Sequence, residues 1–274
     1  MNIKNIKTMA KLFNSIRKKL VSEKPSASRT ANYLKYAIGE IVLVMVGILL
    51  ALQVNNWNEL RKMRAKESGY LERLQEDVSS DLQQYNLNIE FYNQVFDYGN
   101  LALSYANADN LDNVSNWEVL IAFFQSSQIW PIIPKTATYD ELKSSGELSL
   151  IQNVDLRNSL SYYHGGGLDR YNGTVGIKPP YRKMVRGLIP TKVQNYMWDN
   201  CHVTLNEVQI LKKCAPYLDE EKSKLIIDKL IQNKTLLEEL RYYMSSIKVG
   251  MPIITAQQKM CTNMLYDIKK MQSK

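Results

Sequence analysis

Residues that could perform catalysis are few in this 274-residue sequence. The string HGGG, His164 to Gly167, matches the oxyanion-hole motif of lipases and esterases. That chemistry requires a strand-to-loop setting and a G-x-S-x-G nucleophile elbow, and the sequence contains no such elbow. A tethered hydrolase would also need a nucleophile beside a recognisable base. We therefore interpret HGGG as a glycine-rich helix stop and predict no catalytic residue and no enzymatic activity.

The cysteines and histidines offer little support for a metal site. The sequence has two histidines, His164 and His202, and no C-x-x-C or H-x-x-x-H spacing. We predict that the protein binds no metal and no cofactor. Cys261 falls on an apolar stripe of a helical pattern, which predicts a buried thiol.

Cys201 and Cys214 are the natural disulfide pair if they lie in an oxidising compartment. The sequence leaves their pairing open. A helix over 205–213 would separate its ends by about 13 Å, so Cys201 would have to fold back along that helix.

Glu40 is the sharpest candidate for function, because it interrupts an otherwise apolar segment. Apart from Glu40 and Gln53, residues 37–54 are apolar or glycine, and as a helix they would be ~27 Å long. Residues 36–57 are therefore predicted to form one transmembrane helix, with aromatic residues and asparagines at its ends. A signal peptide is the competing interpretation, but the basic region before it is long and no A-x-A-like cleavage site follows.

On this helix Glu40, Gly47 and Ala51 lie within about 40° of one another. Gly47 and Ala51 form a small-xxx-small pair suited to close packing against another transmembrane helix. We predict that the three residues form a helix-contact face in the membrane. In the alternative interpretation, Glu40 snorkels to the headgroups or meets Lys35; a role in proton or ion transfer is a third.

The net charge of +8 is concentrated at one end of the chain. Residues 1–35 hold nine Lys or Arg and one acid, Glu23, and the remaining basic and acidic residues cancel. Hydrophobic residues recur at helical spacing in this segment, which predicts a basic amphipathic helix on anionic lipid headgroups. A disordered basic tail is the alternative. Membrane lipid is thus the expected partner of the basic residues, and nucleic acid is not.

The flanking charges predict the orientation of the span. Residues 17–36 hold six Lys or Arg against five in residues 55–74, so local counting barely discriminates. Nine against five over the wider flanks places the N-terminus in the cytoplasm. Three segments follow: 1–35, a basic amphipathic cytoplasmic segment; 36–57, the transmembrane helix; and 58–274, an extracytoplasmic helical domain.

The pattern of the domain is all-α. Apolar residues at steps of three and four continue the membrane helix to about Ala106, with Gly69 and Gly99 as weak points. The C-terminal pattern keeps one phase across Pro252, which predicts one kinked helix. The segment 169–190 is rich in Gly and Pro and is predicted to be the least regular. We expect the two long helices and several shorter ones to pack as a helical bundle.

Four capping boxes, with Ser or Thr followed three residues later by Glu, predict where shorter helices begin. Gly146 and Gly165 are predicted helix stops. The four boxes are Ser115–Glu118, Thr138–Glu141, Thr204–Glu207 and Thr235–Glu238.

Several segments closely resemble a family of uncharacterised single-pass membrane proteins from Gram-negative bacteria of the Bacteroidetes group. The similarity is dense over Ile16 to Leu82 and shorter over Thr138 to Tyr163. It implies a helical domain tethered to the inner membrane and facing the periplasm, and it implies no activity. The segments are IRKKL, YAIGEIVLVMVGILLALQVNNWNE, YLERLQEDVSSDL, TYDELKSSGELSLI and LRNSLSYY.

From these features we expect a membrane-anchored interaction or scaffold module without catalysis, which forms a homo-oligomer or binds a membrane protein partner. The alternative is an extracytoplasmic sensor domain that holds a small molecule between helices near residues 169–190 and signals through a partner.

Overall fold

The computed structural model describes residue 18 and residues 29–108, 113–175, 178–205 and 208–273. Apart from Lys18, the predicted amphipathic helix in residues 1–28 lies outside the described residues. Within them the chain has nine α-helices and two short strands, so the prediction of a helical protein is confirmed, with a small hairpin added. The helices are α1 Arg29–Ala106, α2 Asn116–Gln125, α3 Ala137–Ser144, α4 Val154–Tyr162, α5 Leu168–Val175, α6 Pro180–Leu188, α7 Thr191–Asn200, α8 Glu220–Ile231 and α9 Lys234–Gln272.

The chain divides into two compact units, residues 1–65 and residues 66–274. The described part of the first unit is helical from Arg29 onward, and its large apolar side chains are exposed. The second unit contains the hydrophobic core. A 3-10 turn, Glu147–Leu150, follows α3, and β1 (His202–Leu205) and β2 (Val208–Leu211) form an antiparallel hairpin between α7 and α8.

Helix α1 ends at Ala106, which confirms the predicted extent of the long helix. From Tyr70 onward its buried residues recur at steps of three and four, because one face of a helix turns to the core at that period. Helix α9 packs along this part of α1. An added Cβ at Gly99 would meet Met244, and Gln258 Nε2 donates to Asn86 Oδ1. The earlier residue of α1, Asn86, thus contacts the later residue of α9, Gln258, and the two helices run antiparallel here.

The central helix α2 is buried along almost its whole length, from Trp117 to Gln125. The capping box predicted at its start is confirmed: Glu118 N–H donates to Ser115 Oγ, and Ser115 N–H donates to the Glu118 carboxylate. The turn that follows, Ser126 to Gln128, is also buried although all three side chains are polar. Such groups remain buried when they are hydrogen-bonded, and the partners of this turn include Arg182 and Arg186.

The other three capping boxes were wrong predictions. Helix α3 is preceded by Thr136, whose side chain makes no cap, and Glu141 bonds to α1 instead. Helix α9 begins one residue earlier than Thr235, because Asn233 accepts the N–H of Leu236 and caps it. Thr204 lies in β1 and not at the start of a helix. A local pattern of Thr and Glu is compatible with several backbone conformations, and tertiary contacts decide among them.

The segment 169–190 is more regular than the sequence indicates. It contains most of α5 and all of α6, which begins at Pro180. Proline fits the first turn of a helix because its missing N–H would have no partner there. Pro252, by contrast, lies inside α9, which continues through it as one helix, as predicted. Gly146 follows α3 with φ of 70°, a conformation that favours glycine, and confirms the predicted stop.

Candidate functional site

The predicted contact face lies on one uninterrupted helix. Glu40, Gly47 and Ala51 all belong to α1, and all three are exposed. A Cβ added at Gly47 would meet no atom within 4 Å. Within the described chain, the space beside this glycine is open to a neighbouring helix.

The apolar segment around this face is long enough and apolar enough to cross a membrane. An 18-residue window there has a mean hydropathy of 2.4, and none of that window is buried. Large apolar side chains therefore project into the surroundings around most of the helix, as at Ile41, Val44 and Leu50. Soluble proteins rarely expose an apolar surface of this size.

The HGGG string forms the end of a helix. Helix α4 ends at Tyr162, and the chain leaves helical geometry at Gly165 and at Gly166, which has φ of 122°. The His164 ring stacks on Tyr139 at 4.3 Å between centroids. Burial lowers the pKa of His164. The imidazole is thus packed against the core as a neutral aromatic group.

Cys201 and Cys214 form a disulfide with their Cα atoms 4.9 Å apart. The pairing that the sequence left open is realised because no helix separates the two cysteines: the hairpin of β1 and β2 reverses the chain and brings them together. Lys212 N–H also donates to the Cys201 carbonyl at 3.0 Å. Cys261 is a free, buried thiol, as predicted, and burial raises its pKa to about 12. In the described part of the chain no cluster of three or more His, Cys, Asp or Glu could hold a metal ion.

A polar cluster joins α1 to α3 and the 3-10 turn. The Tyr70 hydroxyl lies 2.8 Å from Glu147 Oε2 and 3.1 Å from Glu141 Oε1. Arg73 pairs with Glu141 at 2.7 Å, and Lys66 pairs with Glu147. The hydrogen bond to Glu147 contributes most to raising the pKa of Tyr70 to about 12, while Arg73 and Lys66 lower the pKa of Glu141 and Glu147 respectively. These contacts fasten two distant segments of the chain together.

A buried carboxylate lies further along α1. Asp81 is 2% exposed, and its two oxygens accept the Tyr163 hydroxyl at 2.7 Å and the Lys135 N–H at 2.9 Å. Desolvation raises the pKa of Asp81. Because Tyr163 is also buried, this pair faces the interior and supports the packing of α1 against the chain around it.

Two arginines on α6 contact the buried turn that follows α2. Tyr181, Val185 and Ile189 are buried, which places Arg182 and Arg186, one turn apart, at the edge of the core. Arg182 Nη1 donates to the Ser127 carbonyl at 2.7 Å and to Gln128 Oε1 at 3.3 Å. Arg186 donates from Nε to Ser127 Oγ at 3.2 Å and from Nη2 to the same Gln128 Oε1 at 2.9 Å.

Aromatic rings border the second arginine. The Arg186 guanidinium carbon lies 5.0 Å from the Phe124 ring centroid and 4.8 Å from that of Trp198. Desolvation, followed by repulsion from Arg182, lowers the pKa of Arg186 to about 9. Neither arginine was predicted to be a site residue, although the sequence carries a signal: six basic and no acidic residues lie between Asp169 and Asp199.

Residues 40–174 match the model of a family of unknown function (DUF6090), a span of just under half the chain. The match includes the contact face on α1, the cluster around Tyr70 and the buried Asp81. The arginine pair, the disulfide and α9 lie outside it. No curated protein and no solved structure matches the chain.

Proposed function

We propose that this protein is a single-pass membrane-anchored module that associates through its transmembrane helix and performs no catalysis. The observation that carries the proposal is the exposed apolar surface of α1, of which none is buried over the most hydrophobic 18 residues. Residues 36–57 cross the inner membrane of a Gram-negative bacterium of the Bacteroidetes group, and residues 1–35 lie on the cytoplasmic leaflet. Residues 58–274 pack as a helical bundle in the periplasm.

The disulfide supports this orientation. Cys201 and Cys214 are bonded within the segment assigned to the periplasm. Disulfides persist in the oxidising bacterial periplasm and are rare in the cytosol. Alkylation of the protein in intact cells, followed by mass spectrometry under non-reducing conditions, should find both cysteines oxidised. Free thiols at these two positions would contradict the orientation.

Association occurs through the face formed by Glu40, Gly47 and Ala51. The small side chains of Gly47 and Ala51 let a second helix approach closely, and Glu40 finds its polar partner in that contact. The second helix belongs to another copy of the chain or to a membrane protein partner. Since a Cβ at Gly47 meets nothing within the chain, a larger residue there blocks the neighbour without straining the monomer.

The test compares two matched substitutions. Gly47→Leu enlarges the contact face, whereas Gly39→Leu adds the same side chain about 80° away, at a position where a Cβ also meets nothing. Full-length protein is extracted in mild detergent and its assembly mass is measured by native mass spectrometry. We expect a defined assembly that Gly47→Leu disrupts and Gly39→Leu retains. A lone 31.6 kDa chain, or equal effects of both variants, would contradict the proposal.

A second candidate function is a periplasmic sensor that binds a small molecule between helices. The observation that favours it is the guanidinium pair on α6, which lies in the segment 169–190 where the sequence analysis expected a ligand. Saturable thermal stabilisation of the full-length protein by a small molecule would support this candidate.

A further inference from the structure

Among the described residues, no carboxylate pairs with the positive charge of Arg182 or Arg186. Each of the six ion pairs among the described residues involves other side chains. The acceptors that the two guanidiniums do contact are neutral: the carbonyl and hydroxyl of Ser127 and the amide oxygen of Gln128. Two cations therefore share a single amide oxygen at the edge of the core, where charges are expensive to leave unpaired.

The end of α2 compensates only part of this charge. The arginines contact the turn that follows the C-terminus of α2, where the helix dipole is negative. That dipole is equivalent to about half an elementary charge, against two full charges on the guanidiniums. A structural role as a C-terminal cap would be served by one arginine, so it does not account for the second.

The environment holds both guanidiniums in place. Ser127 and Gln128 are buried. Gln128 Nε2 donates to Gln125 Oε1 at 3.2 Å, and Gln125 Nε2 donates to the Cys201 carbonyl at 2.8 Å. These bonds fix which end of each amide faces which neighbour, so Gln128 turns its oxygen toward the arginines.

Several N–H groups of the pair remain free for a ligand. The hydrogen bonds use Nη1 of Arg182 and Nε and Nη2 of Arg186. In the part of the chain that the structure describes, Nε and Nη2 of Arg182 and Nη1 of Arg186 have no protein acceptor, and none of them is buried. These donors reach solvent from a fixed position, which is what an anion site requires.

We propose that Arg182 and Arg186 bind the dianionic phosphoryl group of a phosphate monoester. Two guanidiniums one helical turn apart match a group that carries about two negative charges and three acceptor oxygens. A single carboxylate would leave one charge unpaired. The site does not depend on association in the membrane, but it supplies a ligand class for the sensor candidate. The monoester comes either from a free small molecule or from a lipid headgroup.

The experiment titrates full-length protein in an uncharged detergent by isothermal titration calorimetry at constant ionic strength. Methyl phosphate probes the free small molecule, and phosphatidic acid in mixed micelles probes the lipid headgroup. The double variant R182Q/R186Q removes the site. Lys183→Gln is the matched control, because it removes one charge from an exposed position on the same helix.

We expect saturable binding of methyl phosphate, of phosphatidic acid or of both, and the probe that binds identifies the source. Binding should weaken roughly ten- to a hundredfold in R182Q/R186Q, as for the loss of charge-assisted hydrogen bonds, and should be unchanged in K183Q. Arg186→Lys keeps the charge but loses the planar fork, so it should also weaken binding. Without ligand, R182Q/R186Q should unfold at the same temperature as the parent or higher.

Three outcomes would overturn the proposal. The first is the absence of saturable binding of either probe. The second is an equal loss in K183Q, which would indicate general attraction to a basic surface. The third is binding of acetate or of an acidic peptide in preference to methyl phosphate, which would assign the pair to a carboxylate. If R182Q/R186Q does not fold, the comparison of R186K with K183Q still shows whether binding depends on the guanidinium of Arg186.

Discussion

The Tyr70 hydroxyl lies 2.8 Å from a carboxylate oxygen of Glu147, a residue 77 positions further along the chain. Through this contact the segment YLERLQEDVSSDL meets the segment TYDELKSSGELSLI. Both segments lie within the span that matches the family model. The two segments therefore meet at a polar junction between α1 and the α3 region. Lys66 and Arg73 supply the positive charges that pair with Glu147 and Glu141.

The first prediction concerns this junction. Tyr70→Phe removes the donor to both carboxylates and should lower the urea midpoint of the full-length protein in uncharged detergent at pH 7. The folded state holds the pKa of Glu141 and Glu147 below the usual value near 4.5, so the stability they contribute is present above that pH and is lost as the pH falls through the lowered pKa. The difference between Tyr70→Phe and the parent should thus shrink at low pH. Tyr242→Phe, at a side chain that is mostly exposed, should have no effect at either pH.

The second prediction concerns the buried carboxylate. Asp81→Ala leaves the buried Tyr163 hydroxyl and the Lys135 N–H without their acceptor, and the loss of both hydrogen bonds should lower the free energy of unfolding by roughly 2–5 kcal/mol. Asp81→Asn retains an acceptor oxygen and should be far milder in urea unfolding at pH 7.

The pH dependence tests the state of Asp81. Burial raises its pKa above the usual 3.8, so the folded protein keeps this proton to higher pH than the unfolded chain does. Its contribution to stability therefore falls as the pH rises from about 3.8 through the raised pKa. Asp81→Asn should abolish that decrease. If Asn destabilises as much as Ala at pH 7, the fold requires the ionised carboxylate.

The third prediction concerns the disulfide. Replacing Cys201 and Cys214 by serine opens a loop whose ends are 13 residues apart, and the loss should be about 3 kcal/mol in the free energy of unfolding. Thermal unfolding with and without a reductant measures the same effect. The variant Cys261→Ala should still respond to the reductant like the parent, because Cys261 is not bonded. No response to the reductant in the parent would contradict the pairing.

The fourth prediction compares two glycines of α1. Alanine stabilises a helix interior by about 0.5–1 kcal/mol relative to glycine, so Gly69→Ala should stabilise the protein, since nothing lies within 4 Å of its added Cβ. At Gly99 the Cβ would collide with the Met244 side chain, so Gly99→Ala should lose this gain or destabilise. Urea unfolding of both variants measures the change in the free energy of unfolding that each alanine causes. Equal stabilisation would show that Met244 moves aside freely.

Periodicity predicted the helices that bury one face along a great length. The end of α1 at Ala106 and the continuity of α9 through Pro252 both followed from an apolar repeat, because burial dominates the stability of such helices. The hairpin was missed because Thr204 and Glu207 fit a capping box equally well. Two contacts favour the hairpin: the disulfide between Cys201 and Cys214, and the hydrogen bond from the Lys212 N–H to the Cys201 carbonyl. A short sequence motif shows neither of them.

The two candidate sites, the face on α1 and the arginine pair on α6, also differ in how much of them a local sequence pattern can show. The face of Glu40, Gly47 and Ala51 needs only the geometry of one helix to be proposed from the sequence, and its role in contact stays a prediction. The arginine pair could not be proposed in that way, because its importance lies in what its neighbours are. Only the folded chain shows that the nearest acceptors of Arg186 are Ser127 and Gln128 and that no carboxylate pairs with it among the described residues. The sequence showed only a long interval without acidic residues between Asp169 and Asp199. The structure adds that two arginines of this interval lie against a buried turn.

The carbonyl of Cys201 links the redox chemistry of the chain to its anion site. It accepts the Lys212 N–H inside the covalent loop and the Gln125 amide outside it, and Gln125 in turn orients Gln128. Opening the disulfide should loosen this carbonyl and, three hydrogen bonds away, the positions of both guanidiniums. We therefore expect the arginines to be fully positioned only after the thiols have been oxidised, so that anion binding would report the redox state of Cys201 and Cys214.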